Sequence, residues 1–474
     1  MTAASSSVSH VAPHRFGLWI ILAAQLMLQM DFLIVLVALP QIQADLGFSA
    51  AGLSWVPNAF ALAFGGLLLL GGRLGDMIGQ VRAFRIGLAV FTLASLLGGV
   101  ADNAALLIAA RVLQGVGAAL AGPSVLALIA VTARDDAERQ RGLSMFIAVS
   151  AIGSSSGLLL GGVLTELLSW RWSLLINVPV GLAVIAAVGR LVPETRPQRA
   201  SLDLGGAVTA TLGSVSLVYA LISAAEAGWG GWPTVVSIGV GIVLLYAFFL
   251  IERSHKAPLL DLSLLAHRTR LAGLGVMGLV VGMHFSVLFL LVQYLQRVLG
   301  FDAFAAGLAY IPLTATVLVI SQFAPRLIAR FGPRALLVAG SALVAASLVG
   351  FALLDDESSY AFAVLIPLLV HAAGIALVFA PGTVTIMAGV PDRHAGAASG
   401  LLQMDQQIGG ALGIAIIASI YALVADPAQF ADGLPTAFGA AAIIAALASV
   451  LAWFGIRNSE VETSTAKPGA IAHL

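Results

Sequence analysis

The chain has 474 residues, of which 60% are hydrophobic and only 10% charged, with a formal net charge of +0 and no cysteine. A soluble domain carries roughly 25% charged residues, so this chain cannot cover its outside with polar groups and takes lipid as its solvent. Zero net charge gives no electrostatic footprint for nucleic acid, and without cysteine there are neither disulfides nor thiolate metal sites.

A membrane span needs about 20 mostly apolar residues. Such segments are predicted at 17–40, 53–71, 83–101, 104–131, 142–167, 172–192, 203–225, 234–251, 271–297, 304–325, 335–354, 360–388, 396–424 and 435–456, about fourteen in all. Hydrocarbon offers no partner to an unpaired backbone group, so all are expected to be helices. The first does not read as a cleaved signal, because its apolar run from Phe16 to Pro40 exceeds the roughly 7–15 residues of a signal core. An even number of spans puts both termini on one side. Nearly all of the 23 Lys and Arg then fall at that face, with Arg111 inside a span and Arg171 and Arg297 on the other side. Basic loops are cytoplasmic, so both termini are expected in the cytoplasm of a cell whose inner membrane holds the chain.

In chain order, the first span reads "LQMDFLIVLVALP" and carries Asp31. A charge in hydrocarbon is costly and marks a functional site by default. Counted at 1.5 Å per residue from Leu18, Asp31 lies roughly 20 Å deep; Arg111, counted from the opposite start of the fourth span near Asn103, lies roughly 12 Å in. The two sit at similar depth. Gln25, Gln29, Asn58, Asn177, Gln293 and Gln322 are polar groups within spans, suited to lining a substrate cavity or to interhelical hydrogen bonds. Between spans two and three stands "GGRLGDMIGQVRAF", with Gly72, Asp76, Gly79 and Arg82. An acid at a helix N-terminus there is favoured by the backbone dipole. The fourth span holds "RVLQGVGAA", with Gln114, Gly115 and Gly117 beside Arg111, and the fifth holds "GSSSGLLLGG", with Gly153, Gly157, Gly161 and Gly162. The first three of these glycines recur every four residues, a stripe that admits a close helix neighbour. Glu166 and Glu226 fall near outer span ends and are expected to be solvated. His284 and His371 fall in mid-span, where histidine can carry a proton near neutral pH or remain a neutral hydrogen-bonded ring. Asp405, in "GLLQMDQQIGGALG", is a second embedded acid, roughly 14 Å from its helix start.

Between spans ten and eleven, "APRLIARFGPRALL" repeats the earlier loop. Gly332 stands 253 residues after Gly79, with Arg334 near Arg82, Pro325 at Gly72 and Ala329 at Asp76. Spans one to six and nine to fourteen thus form two parallel six-helix copies, an architecture of secondary transporters with the substrate site between the halves. The expected parts are a six-span bundle over 1–200, two inserted spans over 201–255, and a second bundle with a short tail over 256–474.

These stretches together resemble the major facilitator superfamily over nearly the whole chain, and within it the fourteen-span drug:proton antiporters. "DFLIVLVALPQIQADL" resembles that branch's first-span signature, with Leu33 and Leu36 where Thr and Asn are usual. Gly72, Asp76 and Gly79 meet its loop pattern, "RVLQGVGAA" its fourth-span pattern, and "GSSSGLLLGG" its fifth-span pattern with Leu158 in place of proline. "WRWSLLINVPVG" matches a further signature. The resemblance implies adjacency of spans one and four, a cytoplasmic latch at Gly72, Asp76, Gly79 and Arg82, and contact of span five with the other half, so that Gly157 would pack across it.

There is no Gly-Lys-Ser/Thr phosphate loop and no metal-ligand spacing, so no catalysis, metal or cofactor is expected. An ion gradient must supply the energy. One charge crossing 100 mV yields about 2.3 kcal/mol and each pH unit about 1.4, so one proton sustains roughly a hundredfold gradient. The expected partners are protons, lipid and a small amphipathic substrate, handled by a monomer. Asp31, Arg111, Asp405 and His284 are the proton-coupling candidates; burial disfavours the Asp31 carboxylate and a neighbouring guanidinium favours it. The expected function is proton-coupled efflux of drugs or secondary metabolites; the alternatives are a metabolite symporter or a membrane sensor without transport.

Overall fold

The computed structural model describes residues 13–133, 135–195, 197, 203–255, 259–260, 262–390, 395–425 and 429–457. Both chain ends, the basic residues Arg134, Arg196, Arg199, Lys256, Arg393 and Lys467, and the expected boundaries near 200 and 255 lie outside the described residues.

Helices dominate the described residues. They are α1 (Pro13–Leu46), α2 (Trp55–Ile78), α3 (Gln80–Gly99), α4 (Ala104–Thr132), α5 (Asp136–Leu167), the short α6 (Trp172–Leu175), α7 (Asn177–Leu191), α8 (Leu204–Ala227), α9 (Trp232–Ser254), α10 (Arg268–Arg297), the short α11 (Ala303–Leu308), α12 (Ile311–Phe351), α13 (Leu365–Met387), α14 (Ala395–Val424) and α15 (Leu434–Gly455). Four starts are capped by a side-chain oxygen that satisfies an orphan backbone N–H: Asn103, Asp135, Asp203 and Asp302 accept from Leu106, Glu138, Gly206 and Ala305.

Among the described residues, twelve helices are long and apolar enough to cross a membrane, where the sequence reading counts about fourteen. The difference lies at two places. The stretch 303–351 counts once, although its main helix α12 has 41 residues, about 60 Å along the axis and roughly twice the hydrocarbon thickness. It is broken at Gly332, which takes φ 73° and ψ 159°. The 32-residue α5 does not count, and only its 156–167 end registers as a shorter apolar helix.

The two copies share geometry as well as sequence. Gly79, between α2 and α3, takes φ 100° and ψ 138°, the counterpart of the break at Gly332. An L side chain is strained at such φ, so glycine is required at both. A Cβ on Gly87 would stand 2.7 Å from the Gly117 carbonyl oxygen, and one on Gly340 would stand 2.8 Å from that of Gly374. Gly340 lies 253 residues after Gly87 and Gly374 lies 257 after Gly117. The α3–α4 crossing is therefore repeated by the second part of α12 against α13.

α8 occupies the seam between the copies. Thr211 packs into Gly66 of α2, and the Ser419 hydroxyl of α14 donates to the Leu221 carbonyl at 2.7 Å. α9 lies outside α8, with only about a tenth of its apolar stretch buried, and turns the rest of its apolar surface outward.

Candidate functional site

α1 and α4 bring Asp31 and Arg111 together where neither side chain has any exposure. Arg111 Nη1 donates to Asp31 Oδ2 at 2.5 Å and to Gln114 Oε1 at 2.9 Å, while Nε donates to the Val56 carbonyl at 3.0 Å. The other carboxylate oxygen, Oδ1, accepts from Gln114 Nε2 at 2.9 Å and from Asn177 Nδ2 at 2.6 Å. Gln114 Nε2 also reaches Ser95 Oγ at 2.7 Å. The guanidinium carbon lies 4.7 Å from the centre of the Phe60 ring, on its face, where a cation is attracted by the ring quadrupole. α4 and α7 thus supply the donors to the Asp31 carboxylate of α1, while α2 and α3 hold Arg111 and Gln114 from behind. Every polar contact Asp31 makes is with a donor, the arrangement that holds an anion.

The network is incomplete on the cation's side. Arg111 Nη2 and both amide atoms of buried Asn58 have no hydrogen-bond partner. A buried polar group left unpaired costs about 1–3 kcal/mol, so the arrangement has unused bonding capacity.

In the second copy, His284 stands 253 residues after Asp31 and His371 stands 257 after Gln114. The ring planes lie within 16° of each other and meet edge to edge, with His284 Nδ1 and His371 Nε2 3.1 Å apart and His371 Nδ1 3.0 Å from Ser347 Oγ. Leu368 occupies the position of Arg111, so this site has no fixed cation. Asp405 of α14 is only partly buried and lies against Gly278 of α10, with Oδ2 unbonded.

The polar groups expected either to line a cavity or to bond between helices divide. Asn177 serves the ion pair, Gln25 Nε2 donates to Ser150 Oγ at 3.0 Å, Gln29 packs on Gly153, and Gln322 is exposed. Gln293 lines a cleft of about 660 Å³ at the Asp45 end of the molecule. Gln43, Phe48, Arg297, Asp356, Tyr421 and Phe430 share the lining, and Arg297 both bonds Gln43 and packs over Phe430. Arg171 pairs with Asp45 at 2.8 Å. The two basic residues assigned to the far side therefore share one end.

Two local expectations change, at the α5 glycines and at the α2–α3 loop. The Gly153, Gly157 and Gly161 stripe meets α1 of its own half, at Gln29, Met30 and Ile34. Contact with the other half falls to Gly162, where a Cβ would stand 2.5 Å from the Ala303 carbonyl, and to Leu158, whose carbonyl lies 2.7 Å from where Gly307 would carry one. About 100° of rotation around α5 separates the two contacts. At the loop, Asp76 is exposed and accepts from Gln80 Nε2 at 2.8 Å, while Glu194 takes the α3 N-terminus. Its carboxylate accepts from the Val81 and Arg82 N–H groups at 2.9 and 3.1 Å and lies 4.0 Å from the Arg82 side chain. Gly72 packs on Pro123. Glu166 and Glu226 are exposed yet bonded, to the Ala303 N–H and the Ser49 hydroxyl. Gly115 admits α2 at the Phe60 carbonyl.

Gly409 and Gly413 were missed. They face Gly278 and Gly282 of α10 and stand 252 residues after Gly157 and Gly161. The same four-residue spacing would have revealed them.

The chain is 39% identical over 397 residues to the uncharacterized MFS-type transporter EfpA of Mycobacterium tuberculosis, covering 84% of this chain and 75% of that one. It is 40% identical over 462 residues to the puromycin resistance protein pur8 of Streptomyces alboniger, covering 93% and 91%. Among solved structures, a bacterial homologue of the human lysosomal transporter Spinster, in an inward-facing and unoccupied conformation, superposes with TM-score 0.67 at 16% identity, over 98% of this chain and 100% of that one. The profile of the Major Facilitator Superfamily matches residues 21–414, and the chain belongs to that family.

Proposed function

We propose that the protein exports amphipathic small molecules, drugs or secondary metabolites, in exchange for protons, by alternating access between two six-helix halves. The observation that carries the coupling is the buried Asp31–Arg111 pair with its donor shell. A proton on Asp31 removes the charge that Arg111, Gln114 and Asn177 are arranged to hold, so binding and release of that proton are tied to the packing of α1, α4 and α7. Relatives that include the cephamycin export protein CmcT of Amycolatopsis lactamdurans support export as the direction. The cleft beside Gln293 suits an amphipathic molecule, because it joins aromatic walls to an acid and a base.

We count fourteen spans: the twelve long apolar helices, α5, and a second span from the break of α12 at Gly332. The two halves, 1–200 and 256–474, then flank the inserted pair α8–α9. The Gly79 and Gly332 turns are the cytoplasmic end, because Arg82, Arg85, Arg190, Arg330 and Arg334 cluster there. Gly72, Asp76, Gly79 and Arg82, joined by Glu194, form the latch at that end. The test is substrate-dependent proton movement in proteoliposomes under an imposed pH gradient. Transport that ignores the gradient refutes the coupling, and absence of transport for a panel of cationic and neutral amphiphiles refutes the substrate class.

A further inference from the structure

The geometry points to a second proton-binding site in the C-terminal half: His284 and His371, anchored by Ser347, hold one proton between them and exchange it through His284 Nε2. This deepens the coupling reading above and rests on it for its place in a transport cycle, though not for its chemistry.

The hydrogen bonds fix the tautomers. The Ser347 hydroxyl donates to the Val344 carbonyl at 2.7 Å, so its oxygen must accept from His371 Nδ1–H at 3.0 Å. His371 Nε2 is then a lone pair, and the 3.1 Å contact requires His284 Nδ1–H to donate to it. That leaves a lone pair on His284 Nε2, for which no hydrogen bond is found. His371 is fully buried, whereas His284 keeps part of its surface accessible. The chain therefore has one closed end, at a backbone carbonyl that cannot pass a proton on, and one open end. It is a store with one door rather than a wire.

A proton added at His284 Nε2 makes that ring cationic, and its Nδ1–H becomes a charge-assisted donor to His371. Transfer of that Nδ1 proton to His371 Nε2 moves the charge inward and leaves His284 neutral with its proton on Nε2. Both forms keep the bond between the rings. A second proton would set two donors and two positive charges face to face at 3.1 Å, so the pair takes only one.

Position supports a paired role. The rings occupy the repeat positions of Asp31 and Gln114. The first half thus carries a site that is negative when empty, balanced by Arg111, and the second a site that is neutral when empty and positive when filled. The mid-span charged groups on neighbouring helices are Asp405 of α14, which meets α10 at Gly278, and Asp31 of α1, next to Phe32, whose ring lies 4.7 Å from that of Phe285; Arg326, Arg330 and Arg334 of α12 and Asp45 of α1 lie toward the helix ends or the Gly332 break. Ser347 and Phe351 are the facing groups from α12.

The experiment uses the full chain with ¹⁵N-labelled histidine rings in lipid nanodiscs, titrated from pH 8 to pH 5 with protons as the only ligand. His284→Gln and His371→Gln assign the signals; His371→Gln carries the amide that the first half has at Gln114. Expected at high pH are two neutral rings with an N–H···N coupling between them. On acidification the pair gains a single proton, seen as a joint shift of both rings, and His371→Gln abolishes the joint shift while His284 still titrates. Asp405→Asn must leave the joint shift in place. Rings that stay neutral to pH 5, or that titrate independently to two protons, overturn the proposal. No transport is needed for this readout, so it can fail while vesicle exchange succeeds, and the reverse.

Discussion

Asp31→Asn tests the coupling pair most directly, because the amide keeps the carboxylate's shape. Its oxygen must face Gln114 and Asn177, since both are donors to Oδ1. Its NH₂ then faces Arg111 Nη1 at the 2.5 Å position of Oδ2, donor against donor, and the guanidinium loses its counter-ion. Breaking a buried ion pair by removing one partner costs about 3–5 kcal/mol. Arg111 retains the Val56 carbonyl and the Gln114 amide oxygen, which places the loss at the lower end, about 3 kcal/mol. The variant should therefore reach the membrane with a lowered melting temperature and bind substrate. It should not release protons when substrate is added to proteoliposomes, nor concentrate substrate against a gradient. Normal proton exchange by Asp31→Asn would refute the assignment and shift attention to Asp405.

Further perturbations follow from the same contacts. Arg111→Lys should lose coupling almost as fully as Arg111→Ala, because a single ammonium cannot serve Asp31, Gln114 and Val56 together; flux assays on both variants check it. Gly157→Leu should lower folded yield rather than arrest the cycle, since its side chain would enter Met30 of α1, whereas Gly162→Leu should fold and change the distance between cysteines introduced on α5 and α11. Normal efflux by Gly162→Leu would remove that contact from the mechanism. Glu194→Gln should weaken the α3 N-terminus by about 1 kcal/mol, read as faster hydrogen exchange at Val81 and Arg82. A cysteine at Met77 should be labelled by an impermeant reagent only from the cytoplasmic side, and labelling from outside intact cells would invert the topology.

The two embedded charges and their shared depth were legible because hydrophobic runs make a lone charge conspicuous and helix rise gives its depth; that they pair followed only from the resemblance. The glycine repeat was legible at Gly79 and Gly332 for a similar reason, since a turn between apolar runs punctuates the sequence. The direction each helix face points was not legible. Gly157 and Leu158 are neighbours in sequence yet meet different halves, because 100° of helix rotation separates them and only tertiary packing sets the zero of that rotation. For the same reason the sequence leaves Asn177 open between cavity lining and an interhelical hydrogen bond, and the structure gives the hydrogen bond. Glu194 was hidden by distance, as it caps a helix that begins 114 residues earlier. The two histidines were each visible in mid-span, but the 3.1 Å contact between α10 and α13 depends on how those helices cross.

The placement of α8 bears on how a lipid-soluble molecule reaches the interior. A bundle of two halves has two lateral seams through which the acyl-chain region could communicate with the central space. With Thr211 seated in Gly66 and Ser419 tied to Leu221, the seam between α2 and α14 is plugged by a helix along its length. Any sideways path for a compound partitioned into one leaflet then lies on the opposite seam, where α5 meets α11 at Gly162 and Ala303 and would have to part from it. The inserted pair thus acts as a one-sided wall, which makes the two seams of the molecule unequal toward lipid.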